Sequence, residues 1–313
     1  MYRPTACLLP LAGAVLLLGS VATASAQSLE ICVVHNNADH PSITAIVNGM
    51  NEEAPRYDAA VTYFDPAFDP QRQVSMIEDC VARNADIVVV NAVDPAAVVP
   101  ALRAVNQAGI PVIMQNANTN EEGEAYIETY VGSQSFDQGY AVGRMVAEAM
   151  PDGGKLAIIT GRPGQIDVVQ RTAGLRAALN DAKSTVEIIA EEPADWSKDR
   201  ALTVMQALLT RYPDLDAVFG QDDPMALGAL QAIQASGVDD ILVFGVNGNK
   251  DACAAIAAKQ MFGTAMQLSY LVGVYTVRAA YDVSQGRLVP NQILAPTAPV
   301  TQDNIAEWQD QCW

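Results

Sequence analysis

Short apolar runs rich in β-branched residues recur along this chain, and a helix-like run follows each of them. "LEICVVH" (29–35), "AAVTYF" (59–64), "DIVVVN" (86–91) and "IPVIMQN" (110–116) are the first four. Between them lie runs with helical spacing: "PSITAIVNGMNEEA" (41–54), "PQRQVSMIEDCVARN" (70–84) and "PAAVVPALRAVNQAG" (95–109). Further strands are expected at "KLAIIT" (155–160), "VEIIA" (186–190), "DAVFG" (216–220) and "ILVFGVN" (241–247). Helical runs near 136–150, 165–182, 197–212 and 223–236 separate them. A strand that is apolar on both faces must be covered on both. Alternation of such strands with helices therefore predicts parallel sheets sandwiched between helical layers.

The chain also repeats itself. "VVNAVDPAAVVPALRAVNQAGIPVIMQN" (89–116) echoes "VFGQDDPMALGALQAIQASGVDDILVFGVN" (218–247): strand, polar residues, Asp-Pro, Ala-rich helix, Gly, strand, Asn. Asp94-Pro95 and Asp223-Pro224 read as helix starts, with Asp as N-cap and Pro at the first helical position. Gly109 and Gly237 stand where a helix-ending glycine belongs. Two similar α/β domains are expected. In open parallel sheets ligands bind beyond the carboxyl ends of the strands, and Asn91, Asn116, Asp222 and Asn247 all fall at or just past such ends.

The first 26 residues read as a secretory leader, with Arg3 before the apolar "LLPLAGAVLLLG" and a cut expected near Ala26. The apolar run is shorter than the roughly 20 residues a membrane helix needs. A soluble periplasmic protein of about 290 residues would remain, too long for one ordinary core. With 18 basic and 36 acidic residues the net charge is −18, which argues against nucleic acid and anionic membrane partners. Export permits disulfides. Cys253 and Cys312 are the better candidate pair, because a bond there ties down "QDQCW". Cys32 and Cys80 are read as core thiols, with a second disulfide left open.

Signs of chemistry are missing. The only histidines are His35 and His40, and there is no HExxH. "PDGGKLA" (151–157) lacks the spacing of a phosphate loop, and "TGRPGQID" (160–167) and "GVNGNKD" (245–251) do not match GxGxxG. No GxSxG elbow or calcium loop occurs. The expectation is a binding protein that is not an enzyme, with no cofactor and no metal.

Three stretches carry a family resemblance: "ADIVVVNAVDPAAVVPALRAVNQAGIPVI" (85–113), "EPADWSKDRALTVMQALLTRYPDLDAVFGQDDPMALGALQAI" (192–233) and "TAMQ" (264–267). Through them the chain resembles the periplasmic sugar-binding proteins of ABC importers, the ribose-binding type. The resemblance implies a type I periplasmic binding protein fold: two Rossmann-like α/β lobes with parallel-sheet cores, joined by three crossover segments. The N-terminal lobe would hold 27–131 plus 269–295, and the C-terminal lobe 132–268 plus 296–313. It also implies a monomer that closes on its ligand and delivers it to an ABC permease in the inner membrane.

Carried over residue by residue, the resemblance places Asn91, Trp196, Gln267 and Asp222 at ligand positions, with Asp223 as the helix cap. His40, Asn116 and Asn247 stand at further ligand positions, but with changed residue types. The family's carboxylates at Asn116 and Asn247 have become amides, and its arginines fall on Ala117 and Val169. Its two aromatics near the first helix fall on Ser42 and Ile43, and His40 replaces an amide. Arg162 and Asp167 are further candidates on a cleft-side loop. Together these departures imply a small neutral polyhydroxylated ligand: a sugar, a sugar alcohol or a cyclitol. The alternative is a furanosyl autoinducer-type signal, or a small cationic solute held by Asp222. A sugar-responsive repressor shares the fold but needs an N-terminal DNA-binding module and a basic face, against which the leader and the acidic balance argue.

Overall fold

In the computed structural model, which describes residues 1–2, 28–238 and 240–313, two six-stranded sheets organise the chain. The expected leader, with Arg3, Cys7 and the cut near Ala26, falls on residues outside those described. The first sheet contains β1 (Leu29–Val34), β2 (Ala59–Phe64), β3 (Ile87–Val90), β4 (Val112–Gln115), β5 (Thr129–Gly132) and β11 (Gln292–Leu294). Its order is β11-β5-β4-β3-β1-β2, and every pairing is parallel.

Successive side chains of a strand point to opposite faces, and β1 shows what that does here. Ile31 and Val33 pack with α1 (Pro41–Glu53) and α9 (Ser269–Ser284) through Ile43, Ile46, Met50, Val272 and Val277. Cys32 and Val34 point the other way. They meet α2 (Pro70–Ala82) and α3 (Val99–Gln107) through Ile77, Leu102 and Val105. Both faces are covered, which is why the inner strands β3 and β4 are buried at every position, whereas the edge strands β2 and β11 are not.

The second sheet repeats the plan with β6 (Gly154–Thr160), β7 (Val186–Pro193), β8 (Ala217–Gly220), β9 (Leu242–Asn247), β10 (Gly263–Gln267) and β12 (Thr297–Thr301). Its order is β12-β10-β9-β8-β6-β7, and only β12 runs antiparallel. The helices α4 (Ser135–Ala149) and α5 (Ile166–Asp181) cover one face through Val142, Val146 and Leu175. The other face carries α6 (Lys198–Arg211), α7 (Asp223–Ser236) and α8 (Lys250–Ala257), through Met205, Met225 and Ile256. The chain passes between sheets three times: β5 to α4, β10 to α9, and β11 to β12. The short α10 (Ile305–Trp308) follows.

Two expectations change. The helix expected over 95–109 begins only at Val99. Asp94 Oδ1 accepts from the backbone N–H groups of Ala96 and Ala97, both at 2.8 Å, but the next residues form turns. Pro100 has no N–H to donate to the carbonyl four residues back, so a regular helix cannot run through it and instead starts beside it. The core-thiol reading of Cys32 and Cys80 is also corrected. They form a disulfide from β1 to α2, spanning 48 residues. Both sit in one apolar layer between adjacent elements, and their Cα atoms are 5.8 Å apart, well within reach of a bond. Cys253 and Cys312 form the second disulfide.

Candidate functional site

The carboxyl ends of the parallel strands of both sheets meet at one gap, and a narrow cleft of about 40 Å³ lies there. Asn36, His40, Ser42, Ile43, Phe68 and Asn116 line it from the first lobe. From the second come Gln165, Asp167, Arg171, Trp196, Asp222, Asn247 and Gln267. Four of these residues have a backbone in the left-handed region: Phe68 at φ 61°, Asn116 at 60°, Trp196 at 64° and Asn247 at 125°. Non-glycine residues held there carry strain of order 1–3 kcal/mol, which surrounding structure must sustain.

The two adjacent aspartates divide their work differently from the sequence expectation. Asp222 is the N-cap of α7: its Oδ1 accepts from the Met225 N–H at 2.8 Å. Its Oδ2 faces the other lobe and accepts from His40 Nε2 at 2.9 Å. One residue therefore both caps the helix and faces the cleft. Asp223 does not cap. It is wholly buried and accepts from the N–H groups of Gly248 and Asn249 and from the Thr264 hydroxyl, at 2.6, 2.9 and 2.7 Å. Burial pushes its carboxyl up to about 7, against the pull of those three hydrogen bonds.

The network sets the tautomer of His40. Nδ1 accepts from the Ser42 N–H at 3.2 Å, as the N-cap of α1. With Nδ1 accepting there, Nε2 is the nitrogen that donates to Asp222. A second contact bridges the lobes where Gln267 Nε2 donates to Asn116 Oδ1 at 2.8 Å. Gln267 Oε1 accepts in turn from Gln138 at 3.0 Å.

Trp196 presents an indole whose Nε1 donates to Gln165 Oε1 at 2.6 Å. Gly161 makes the space, since a Cβ there would lie 2.0 Å from the ring. Gln165 reaches across to donate to the Val93 carbonyl at 3.1 Å. Asn247 lines the cleft with no side-chain hydrogen bond to the described residues. Asn91 stands outside the wall. It is fully buried, its Oδ1 accepts from the Ala117 N–H at 3.2 Å, and its Nδ2 has no partner among the described residues.

Sequence reasoning missed Arg171 and Phe68. Val169, where an arginine was sought, is 60% exposed, and the buried cation is two residues further on. Arg171 donates from Nε to Gln138 at 2.9 Å and from Nη1 to the Gln221 carbonyl at 2.6 Å. Its Nη2 reaches Gln267 Oε1 at 3.5 Å, and its guanidinium lies 5.5 Å from the Trp196 ring centre. Burial lowers its pKa, and Asp167 and Asp222 oppose that; a guanidinium stays charged all the same. Asp167 is raised by burial, with Arg171 and the Ser135 hydroxyl pulling it back. A signal existed: Arg171 shares the stripe of Val168, Leu175 and Ala178, where an unpaired charge would be costly.

Phe68 supplies an aromatic face from the first lobe, so the loss of aromatics at Ser42 and Ile43 is partly offset by a different loop. Arg162 is absent from the wall and instead braces this loop from the opposite lobe. Its Nη1 donates to the Phe68 carbonyl at 3.0 Å, and its guanidinium sits 4.7 Å from the ring centre. Among the described residues no cluster of three or more His, Cys, Asp and Glu is placed to hold a metal ion. No helix of the described residues is long and apolar enough to cross a membrane.

Comparison with known proteins accords with this geometry. The model of the family described as "periplasmic binding protein domain" matches residues 31–288. The ribose import binding protein RbsB of Bacillus subtilis is 33% identical over 264 residues, covering 84% of each chain. A solved ABC transporter solute binding protein from Mycobacterium smegmatis, with bound glycerol, is 30% identical with a TM-score of 0.85, covering 90% of this chain and 96% of that one. Another from Bacillus halodurans C-125, with bound myo-inositol, is 28% identical with a TM-score of 0.86, covering 92% and 100%.

Proposed function

The chain belongs to the periplasmic binding protein domain family, and on that premise we propose that it is the solute-binding receptor of an ABC importer. Its ligand is a small neutral polyhydroxylated molecule: a sugar, a sugar alcohol or a cyclitol. The two lobes close on it by bending at the three crossovers, and the loaded receptor delivers it to an inner-membrane permease. The protein acts as a monomer in the periplasm and binds without chemistry.

The observation that carries the ligand class is how the cleft's cation is used. Each nitrogen of Arg171 makes one contact to a protein oxygen, Nε to Gln138, Nη1 to the Gln221 carbonyl and Nη2 to Gln267. Three of its five N–H donors are thus engaged in orienting Gln138 and Gln267, which favours a neutral ligand over an anion. Beside His40, Asp222 and Arg171, the wall is made of amides (Asn36, Asn116, Gln165, Asn247 and Gln267), the carboxyl of Asp167, the aromatic side chains of Phe68 and Trp196, and Ser42 and Ile43. Amides both donate and accept, as hydroxyl groups do, and aromatic faces pack on the C–H side of a ring. Asp222 already has donors from Met225 and His40, so it needs no cation from the ligand. That favours the polyol over the cationic solute. Among the relatives, one is named for ribose import and two solved structures hold glycerol and myo-inositol.

Titration of the purified protein by calorimetry against pentoses, hexoses, sugar alcohols and cyclitols tests the reading. Saturable heat from one member supports it. Silence across the panel with heat from a small amine would transfer the site to the cationic reading. In that case Asp222→Asn would weaken amine binding by the roughly 3–5 kcal/mol of a broken buried ion pair, whereas polyol binding should change modestly.

A further inference from the structure

Cys312 and Trp313 lie far from the cleft in sequence, yet their contacts converge on the two strand ends that supply Asn247 and Gln267. We propose that Trp313, pinned by the Cys253–Cys312 disulfide, is a positioning residue that holds these strand ends in register; that this serves ligand capture rests on the receptor reading above. β9 and β10 are neighbours, with Met266 paired to Asn247. Past Asn247 the chain turns through Gly248 and Asn249 into α8, and past Gln267 it crosses to the first lobe through Leu268. Neither end is followed by more sheet, so each needs support from elsewhere.

Trp313 supplies it with three hydrogen bonds. Its indole Nε1 donates to the Gln267 carbonyl at 2.9 Å. Its backbone N–H donates to the Gly248 carbonyl at 3.4 Å, and its own carbonyl accepts from the Lys250 N–H at 2.8 Å. The disulfide at the preceding residue anchors it to α8, three residues beyond Lys250. One side chain thus joins the last carbonyl of β10 to the turn after β9. Asp223 grips the same turn through the N–H groups of Gly248 and Asn249, so the turn is held by both its donors and its acceptor. The gripped atoms are backbone atoms of Gln267 itself and of the residue after Asn247. Movement at either would carry a cleft side chain with it, including the Gln267 amide that reaches Asn116 across the lobes.

The test uses the full chain. Trp313→Phe keeps an aromatic ring but loses the N–H together with the rest of the five-membered ring; Trp313→Ala removes the aromatic side chain altogether. Hydrogen–deuterium exchange without ligand is read first. The expected result is faster exchange by about fivefold or more in Trp313→Phe, the weight of one net hydrogen bond. It should be confined to peptides spanning 247–250 and 266–270, with the melting temperature nearly unchanged. Trp313→Ala and Cys253→Ser/Cys312→Ser should show the same pattern more strongly, and Cys32→Ser/Cys80→Ser should not. Exchange in Trp313→Phe equal to wild type, or raised uniformly through the second lobe, overturns the proposal. With D-ribose and myo-inositol as probes, the bound form of Trp313→Phe should dissociate about fivefold faster. Altered exchange with unaltered dissociation would overturn the link to capture. If the wild-type chain binds neither probe, the proposed ligand class is in question for those two compounds, and the exchange comparison still decides whether Trp313 positions the strand ends.

Discussion

Replacing Asp223 by Asn should make the protein more stable than wild type, by a margin that grows with pH. The carboxyl is wholly buried, and burial lifts it from 3.8 to about 7. The unfolded chain ionises near 3.8, so between the two values only the folded protein holds the proton. The stability that this proton contributes is complete below about 3.8, declines as pH rises through about 7, and is absent above that. At about 1.4 kcal/mol per pH unit, and with the folded carboxyl half ionised at pH 7, the decline between pH 5 and pH 7 is about 2 kcal/mol. Asn keeps the shape of the neutral acid. Its carbonyl can accept from Gly248 and Asn249, and its amide can donate to the Thr264 hydroxyl, so the three contacts survive without a titration. Gly245 leaves the room that either side chain needs, since a Cβ there would lie 2.3 Å from Asp223 Oδ1.

The measurement is urea unfolding of both proteins at pH 5, 6, 7 and 8 at constant ionic strength. Fluorescence and circular dichroism should be followed together to check that each transition is two-state. The difference between the proteins is the quantity to read, because His35 acts in the opposite sense. Burial lowers its pKa to about 4, so its contribution is present above 6.5 and is lost as pH falls. In the wild type alone the two trends partly cancel between pH 5 and 6.5. The variant's advantage should widen by about 3 kcal/mol from pH 5 to pH 8. A difference that stays flat with pH, or a variant that is the weaker protein at pH 8, would refute a buried protonated Asp223.

His35→Phe should lessen the acid-side loss of stability by about 2 kcal/mol between pH 6.5 and 5, again read as the difference from wild type; neither ring nitrogen has a hydrogen-bond partner among the described residues to lose. Phe68→Ala should weaken binding of the cognate ligand about tenfold by calorimetry, since it removes one of two aromatic faces; Arg162→Met should cost about fivefold by removing the brace on the same loop, and unaltered affinity in both would exclude this loop from binding. Cys32→Ala/Cys80→Ala should lower the unfolding free energy in urea by about 2–4 kcal/mol, in line with opening a 48-residue loop in the unfolded state.

Much of this protein is written in local pattern. Apolar runs such as Ile87–Val90, set between helix-like segments, sufficed to specify parallel sheets with helices on both faces, because a two-sided apolar strand has no other way to avoid water. The repeated order of strand, Asp-Pro and Ala-rich helix marked two similar halves, although neither Asp94 nor Asp223 turned out to be the cap of its helix. Strand ends pointed to Asn116, Asp222 and Asn247, which the structure brings to one cleft, because a parallel sheet delivers its carboxyl ends to one edge. Contacts between segments distant in sequence were decided only in three dimensions. The partner of His40 lies 182 residues away, and no local rule could give Asp222 two tasks and Asp223 a third. Arg171 and Phe68 entered the cleft through the path of a helix and a loop, and Trp313 reached the end of β10 because a disulfide holds it there. Periodicity records which face of an element is buried; which atoms then meet depends on how separate elements are stacked, and no single element encodes that.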